Sequence, residues 1–215
     1  MPPIDPNLDL SEWPETLREL VARGDVRRYR KGTLLIQEGD HGDTLFIILS
    51  GRLRAFSSGE RDREIIYGDY KRGEYLGEMS LDGGPRSASV ITLEASTCAV
   101  VTRRTLEAFI AERPAFAFEL LAKVIRRARA ATLSTRQLAL NDVYGRLKLL
   151  LESLAVLGPD GQRVLSERLT HLEMANHLGC SREMVSRQMK DLENGEFIAM
   201  VDGHVALLRP LPARW

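Results

Sequence analysis

Cysteine is almost missing from this 215-residue chain: Cys98 and Cys180 are the only two. Two thiols cannot make a disulfide framework, nor the cluster that zinc or an iron–sulfur centre needs. Cys98 lies in the apolar run CAVV and reads as a buried structural residue. Cys180 sits at a turn, where partial exposure leaves a redox role as the minor alternative. An excess of either charge is missing too, since 30 Lys and Arg balance 30 Asp and Glu. Nothing approaches the roughly 18 consecutive apolar residues of a membrane-crossing helix. The opening MPPIDPNLDLSEWPE has no basic stretch followed by an apolar one, so it does not read as a signal peptide. A soluble, cytoplasmic protein without a membrane partner is expected. Ser, His and Cys occur without a recognisable nucleophile, metal or phosphate-transfer motif, which argues against an enzyme.

What is present is strongly patterned. A 44% hydrophobic content over this length suits one large globular domain or two small ones. The stretch Leu169 to Ile198 reads as two short helices joined by a tight turn. Leu172, Ala175 and Leu178 would pin the first helix to a core, and Met184, Val185 and Met189 the second. Gly179 tolerates the left-handed backbone of the turn, and Ser181 is placed as an N-cap. This is a helix-turn-helix pattern, which sets its second helix in the DNA major groove. Ser181, Arg182, Glu183, Ser186 and Arg187 are its candidate contacts with double-stranded DNA. Arginine can grip guanine O6 and N7 together, and glutamate can accept from cytosine N4. From Asp142 to Trp215 there are nine basic and ten acidic residues, so non-specific affinity should be modest and salt-dependent.

The rest of the chain changes period twice. Residues 8 to 23 suggest a short amphipathic helix ending in a turn at Gly24. From Lys31 to about Thr102, short β-branched runs (TLLIQ, TLFIIL, LRAFS, REIIYG, SASVITL, TCAVVT) alternate with glycine turns. Strands this short with turns this regular suggest an antiparallel roll. After Pro114 a long helix is expected, with Leu121, Val124/Ile125, Ala128, Ala131/Thr132, Thr135 and Leu138 recurring like a coiled-coil seam. Packing of that helix on its own roll is the alternative. The five basic residues from Lys123 to Arg136 read as a solvated face without function. Asn141-Asp142 marks a hinge, and Asp142 caps a helix over VYGRLKLLLESLAVLG. Leu157 to Gly161 is a loop, and FIAMV-DG-HVALL is a hairpin that would complete a winged helix.

A second candidate site lies in GEYLGEMSLDGGPRSAS, residues 73 to 89. A helical turn near Met79, Ser80 and Leu81, with Arg86 and Ser87 following a Gly83-Gly84-Pro85 turn, would make an anion site suited to phosphate. Glu78 would repel a phosphate and is better suited to a sugar hydroxyl. The pair describes a nucleotide, with a surface Glu78–Arg86 salt bridge as the plain alternative.

Three motifs, GDHGDTLFIILSGRL, GEYLGEMSL…PRSAS and GCSREMVSRQMKDLE, resemble the CRP/FNR family of transcription regulators, on its cyclic-AMP receptor branch. The resemblance runs from about Leu10 to Leu208. It implies an α+β fold: a jelly-roll-like cyclic-nucleotide-binding β-roll over 1–113, a long dimerisation helix over 114–141, and a winged helix-turn-helix over 142–215. It places Gly77, Glu78, Met79, Ser80, Arg86, Ser87 and Ala88 around the effector, Glu78 on the ribose and Arg86 with Ser87 on the cyclic phosphate. Arg182, Glu183 and Arg187 fall on readers of a TGTGA-type half-site. Where the family's cyclic-AMP receptor has two hydroxyl residues for adenine, this chain has Ala131 and Thr132, and the Glu78–Arg86 loop is shorter. Cyclic AMP is therefore the first effector expected, with cyclic GMP, a cyclic dinucleotide or no ligand as alternatives. The iron–sulfur sensors of the family need an N-terminal cysteine cluster, and its haem sensors a histidine or cysteine in the roll; no His lies between His41 and His171. A homodimer gated by its ligand is implied, with RNA polymerase a partner if the protein activates, through the loop Gly158 to Arg163. A cyclic-nucleotide module controlling a partner enzyme would leave the winged helix without a purpose.

Overall fold

The fold was analysed in a computed structural model that describes residues 10–59, 64–158 and 161–214. The chain divides into two compact units, residues 1–57 with 66–129, and residues 58–65 with 130–215.

The first unit is built on two paired strands, β3 (Thr44–Ser50) and β8 (Ser96–Thr102). Alternate β3 side chains enter different cores. Leu45, Ile47 and Leu49 join Ala99 and Val101 of β8 on one face, and Phe46 and Ile48 join Cys98 and Val100 on the other. Burial on both faces explains why TLFIIL is continuously apolar rather than alternating. β1 (Asp25–Tyr29) and β6 (Tyr75–Leu76) complete that sheet in the order β1-β8-β3-β6. A second sheet, β2-β7-β4-β5, faces it through Ile36, Leu53, Ala55 and Val90. Its strands are β2 (Leu34–Ile36), β4 (Arg52–Ser58), β5 (Glu64–Lys71) and β7 (Ser89–Thr92). The other face of the first sheet is covered by α1 (Glu15–Ala22), α2 (Arg103–Glu112) and the start of α3 (Ala115–Leu140), through Leu20, Val21, Leu106, Phe109 and Phe116.

Two strands carry too little apolar signal to read from sequence. β1, DVRRY, is mostly charged, and β6 is two residues long. α1 begins only at Glu15, after Pro14, and is shorter than the helix expected over residues 8 to 23. Residues 8 and 9 of that segment and Arg63 of REIIYG lie outside the described residues.

The second unit holds α4 (Val143–Leu154), α5 (His171–Leu178) and α6 (Arg182–Asn194). Asp142 caps α4 by accepting from the Gly145 N–H. The helix stops at Leu154, earlier than expected, because Ala155–Leu157 is a strand, β9, paired with β10 (Arg163–Leu165). Pro159 and Asp160 of the intervening loop lie outside the described residues. β11 (Ile198–Val201) and β12 (His204–Leu207) form the hairpin, with Asp202 and Gly203 both at positive φ as an Asp-Gly turn demands. Two of the six expected core positions of the helix pair are not buried: Leu172 is 52% and Met184 43% exposed. Met174 and Leu192 are buried in their place, beside Ala175, Leu178, Val185 and Met189.

Candidate nucleotide and nucleic-acid sites

Gly77 precedes the 3-10 turn Glu78–Ser80 with φ +97°, and a Cβ there would lie 2.4 Å from the Thr44 carbonyl oxygen. Only glycine lets the chain pass this close and turn Glu78 inward. The Glu78 side chain is fully enclosed, and its carboxylate pairs with Arg127 of α3 rather than with Arg86. Arg127 also donates to the Tyr75 carbonyl at 2.8 Å, and its guanidinium carbon lies 4.9 Å from the centre of the Tyr70 ring. One turn earlier, the Lys123 Nζ sits 3.9 Å above the Tyr75 ring. Burial, reinforced by the charge of Arg127, pulls the Lys123 amine down to about 8. Burial, reinforced by the negative charge of Glu78, pushes the Tyr75 phenol up to about 12.

Arg86 is buried as well, and its two terminal nitrogens donate to four protein oxygens. One reaches the Gly77 carbonyl at 2.9 Å and Ser80 Oγ at 2.7 Å. The other reaches the Thr44 carbonyl at 3.1 Å and Thr44 Oγ1 at 3.0 Å. A buried guanidinium must find acceptors for its fork of donors, and the roll supplies them. Burial lowers its pKa, against the charges of Asp43 and Glu78. Gly77, Glu78, Ser80 and Arg86 thus stand together. Met79 and Ser87 are exposed and touch each other, Ser87 Oγ lying 3.6 Å from Met79 Sδ. Ala88 packs at the edge of the second core, and Ala131 and Thr132 are exposed on α3.

Sequence reasoning set the basic run on α3 aside and so missed Lys123 and Arg127. The signal was available: residues 116, 120, 123 and 127 follow helical spacing, and Phe116 and Leu120 pack against the first core. Cations continuing an apolar stripe point toward the roll.

In the second unit a capping box starts α5: Thr170 accepts from the Glu173 N–H and Glu173 from the Thr170 N–H. Gly179 ends α5 in the left-handed region at φ +63°, and Ser181 caps α6 by accepting from the Met184 N–H at 3.3 Å. With Val185, Met189 and Leu192 buried, α6 turns Arg182, Glu183 and Arg187 to solvent and leaves Ser186 half-buried between them. Its own backbone N–H and the Ser181 hydroxyl hold the Glu183 carboxyl below its ordinary range. Burial raises the Cys180 thiol and pushes Cys98 up to about 12, so neither favours a thiolate. Among the described residues no group of three or more His, Cys, Asp or Glu could hold a metal, and no helix is long and apolar enough to cross a membrane.

Comparison with known proteins agrees with both geometries. Residues 26–113 match the cyclic nucleotide-binding domain, and residues 145–210 the Crp-like helix-turn-helix domain. The chain is 30% identical over 191 residues to the CRP-like cAMP-activated global transcriptional regulator of Mycobacterium tuberculosis, covering 87% of this chain and 85% of that one. It is 29% identical over 205 residues to the cAMP-activated global transcriptional regulator CRP of Escherichia coli, with 92% of each covered. Among solved structures, the c-di-GMP responsive global regulator CLP of Xanthomonas campestris matches with a TM-score of 0.80 at 25% identity, over 90% of this chain and 98% of that one.

Proposed function

Because this chain belongs to the CRP/FNR family of DNA-binding transcription regulators, we propose that it is a homodimer gated by a cyclic nucleotide, with cyclic AMP the first effector. The observation that carries this reading is the Glu78 carboxylate. One oxygen pairs with Arg127, and the other, Oε2, is buried without a hydrogen-bond partner among the described residues. An unmatched acceptor of this kind is costly, and a ribose hydroxyl is the donor it lacks. Arg86 and Ser87 would take the phosphate, Arg86 by exchanging one of its bonds to Ser80 or Thr44. Ala131 and Thr132 lie on the helix assigned to the base.

The seam of α3 supports dimerisation: Leu121, Val124, Ile125 and Leu138 are exposed apolar side chains at coiled-coil spacing. Dimerisation would set two α6 helices about 34 Å apart, in successive major grooves. Effector can favour that arrangement only through its differential affinity for the two states, typically about 1–3 kcal/mol. An activator would meet RNA polymerase through the loop from Gly158 to Arg163. The domain boundaries that follow are 1–113, 114–141 and 142–215, and no catalytic role is assigned.

The effector is argued from both sides. The relatives of E. coli and M. tuberculosis are cAMP-activated, which supports cyclic AMP. The structural match to a c-di-GMP responsive regulator, together with Ala131 in place of a hydroxyl, favours a cyclic dinucleotide as the second reading. The test is fluorescence anisotropy on a palindromic TGTGA-type duplex at fixed salt, titrated with cyclic AMP, cyclic GMP or cyclic di-GMP. Tightening by cyclic AMP alone is expected. Tightening by another nucleotide reassigns the effector, and equal binding throughout makes the regulator constitutive.

A further inference from the structure

His171 opens α5, and its Nδ1 lies 2.9 Å from the Oγ of Ser186 on α6. Ser186 stands one turn beyond Arg182 and beside Arg187, half-buried at the edge of the face that α6 turns outward. Among the described residues, neither His171 nor Ser186 has another side-chain hydrogen bond. One shared hydrogen therefore decides what the serine can offer to anything approaching this face.

The two possibilities are chemically opposite. Against a neutral ring protonated at Nε2, Nδ1 is an acceptor, so Ser186 must donate to it and presents only lone pairs outward. Against a ring with a hydrogen on Nδ1, which a charged ring always has, Nδ1–H donates, Ser186 accepts, and its own O–H is released to point elsewhere. Lone pairs suit the amino groups of adenine N6 and cytosine N4, whereas an O–H suits guanine O6 or N7, thymine O4 and adenine N7, so cytosine is the base that separates the two states. We propose that His171 sets the hydrogen-bonding polarity of Ser186, and is thereby a positioning residue that decides base preference at one step of the DNA site. This rests on the assignment of α6 as the DNA reader.

The elements packed here carry several charged or titratable groups, among them His177 on α5 and Glu64, which accepts from Asn176 of α5. On α5, Glu173 is turned back into the Thr170 cap, and just before that cap Arg168 donates to the Asp202 carbonyl. On α6 the neighbours are Arg182, Glu183, Arg187 and Lys190. α4 brings Lys148, which donates to the Leu211 and Pro212 carbonyls, Arg146, which donates to the Asn141 carbonyl, and Glu152, 3.9 Å from Lys148. The switching group is the imidazole, which carries a hydrogen on both ring nitrogens when charged. A charged imidazole would also attract phosphates, but that strengthens binding to every sequence alike and does not reorder bases.

The test is competition anisotropy with the full chain and saturating cyclic AMP, on duplexes carrying all four bases at each half-site position. It is run at about pH 5.5 and about pH 8. Wild-type protein is expected to shift at one position from C at high pH toward G or T at low pH, by about fivefold in relative affinity. Ser186→Ala and His171→Ala should both lose this shift while keeping discrimination at the positions read by Arg182 and Glu183. An unchanged wild-type profile, or the same shift in Ser186→Ala, overturns the proposal while leaving the reader in place. Absence of base discrimination at every position, in all three proteins, overturns the assignment of α6 itself.

Discussion

Arg127 of α3 forms an ion pair with Glu78 of the first unit, whose side chain is fully enclosed while that of Arg127 stays 18% exposed. The arginine is also held by the Tyr75 carbonyl and lies over Tyr70, so the long helix is fastened to the roll at the residue proposed to receive a ribose. Removing one partner of such a pair leaves a buried charge alone, which costs more than removing both.

Arg127→Leu should therefore destabilise the protein by about 3 kcal/mol, and Glu78→Leu/Arg127→Leu by much less. Urea unfolding of the two single variants and the double variant measures the coupling. Additive losses would show that the pair contributes no interaction of its own.

Arg86→Ala should do two things. It should remove the response to effector, and it should lower stability by about 2–3 kcal/mol, because the Gly77 and Thr44 carbonyls lose their donor. Denaturant midpoints and effector titrations on the same samples separate the effects. Wild-type effector affinity in this variant would remove Arg86 from the pocket.

Lys123 makes a pH-dependent contribution with a definite sign. Its folded-state pKa of about 8 lies below the ordinary 10.5, so between those values the unfolded chain holds more protons. Its contribution to stability must rise with pH from about 8 to about 10.5. Cys98, raised from 9.0 to about 12, acts oppositely over an overlapping range. The comparison to make is wild type against Lys123→Met, by thermal unfolding in steps from about pH 7.5 to about pH 9.5. The wild type should gain relative to the variant as pH rises, and a constant difference would place the amine outside the buried position.

Glu183→Ala should relax discrimination at one base pair by about 1–3 kcal/mol while leaving the fold unaltered, since the side chain is solvent-exposed. Competition binding against single-base variants of the site is the measurement. Unchanged discrimination everywhere would move the reader away from the start of α6.

Much of this architecture was legible in the sequence because it depends on short-range chemistry. The Asp-Gly hairpin, the Gly179 turn and the Asp142 and Ser181 caps are each decided by a few neighbouring residues. The six strand-length runs could be read because β-branched residues announce strands even when their pairing is unknown.

Three-dimensional contact decided the rest. β1 is a strand only because β8 offers it a partner, and Ala155–Leu157 leaves its helix because β10 pairs with it. Met174 displaces Leu172 from the core because the phase of a short helix is set by what packs on it, not by which residue is most apolar. The basic run of α3 looked solvated, since a charge pattern cannot reveal a buried carboxylate 49 positions away in the chain. The pairing of His171 with Ser186 has the same origin: two unremarkable polar residues acquire a joint role only when two helices cross. Local sequence determined the strongly patterned elements and where they turn, whereas the weakly patterned strands, the partners, the phase and the state of each buried charge were left to tertiary packing, because those energies are summed over residues distant in the chain.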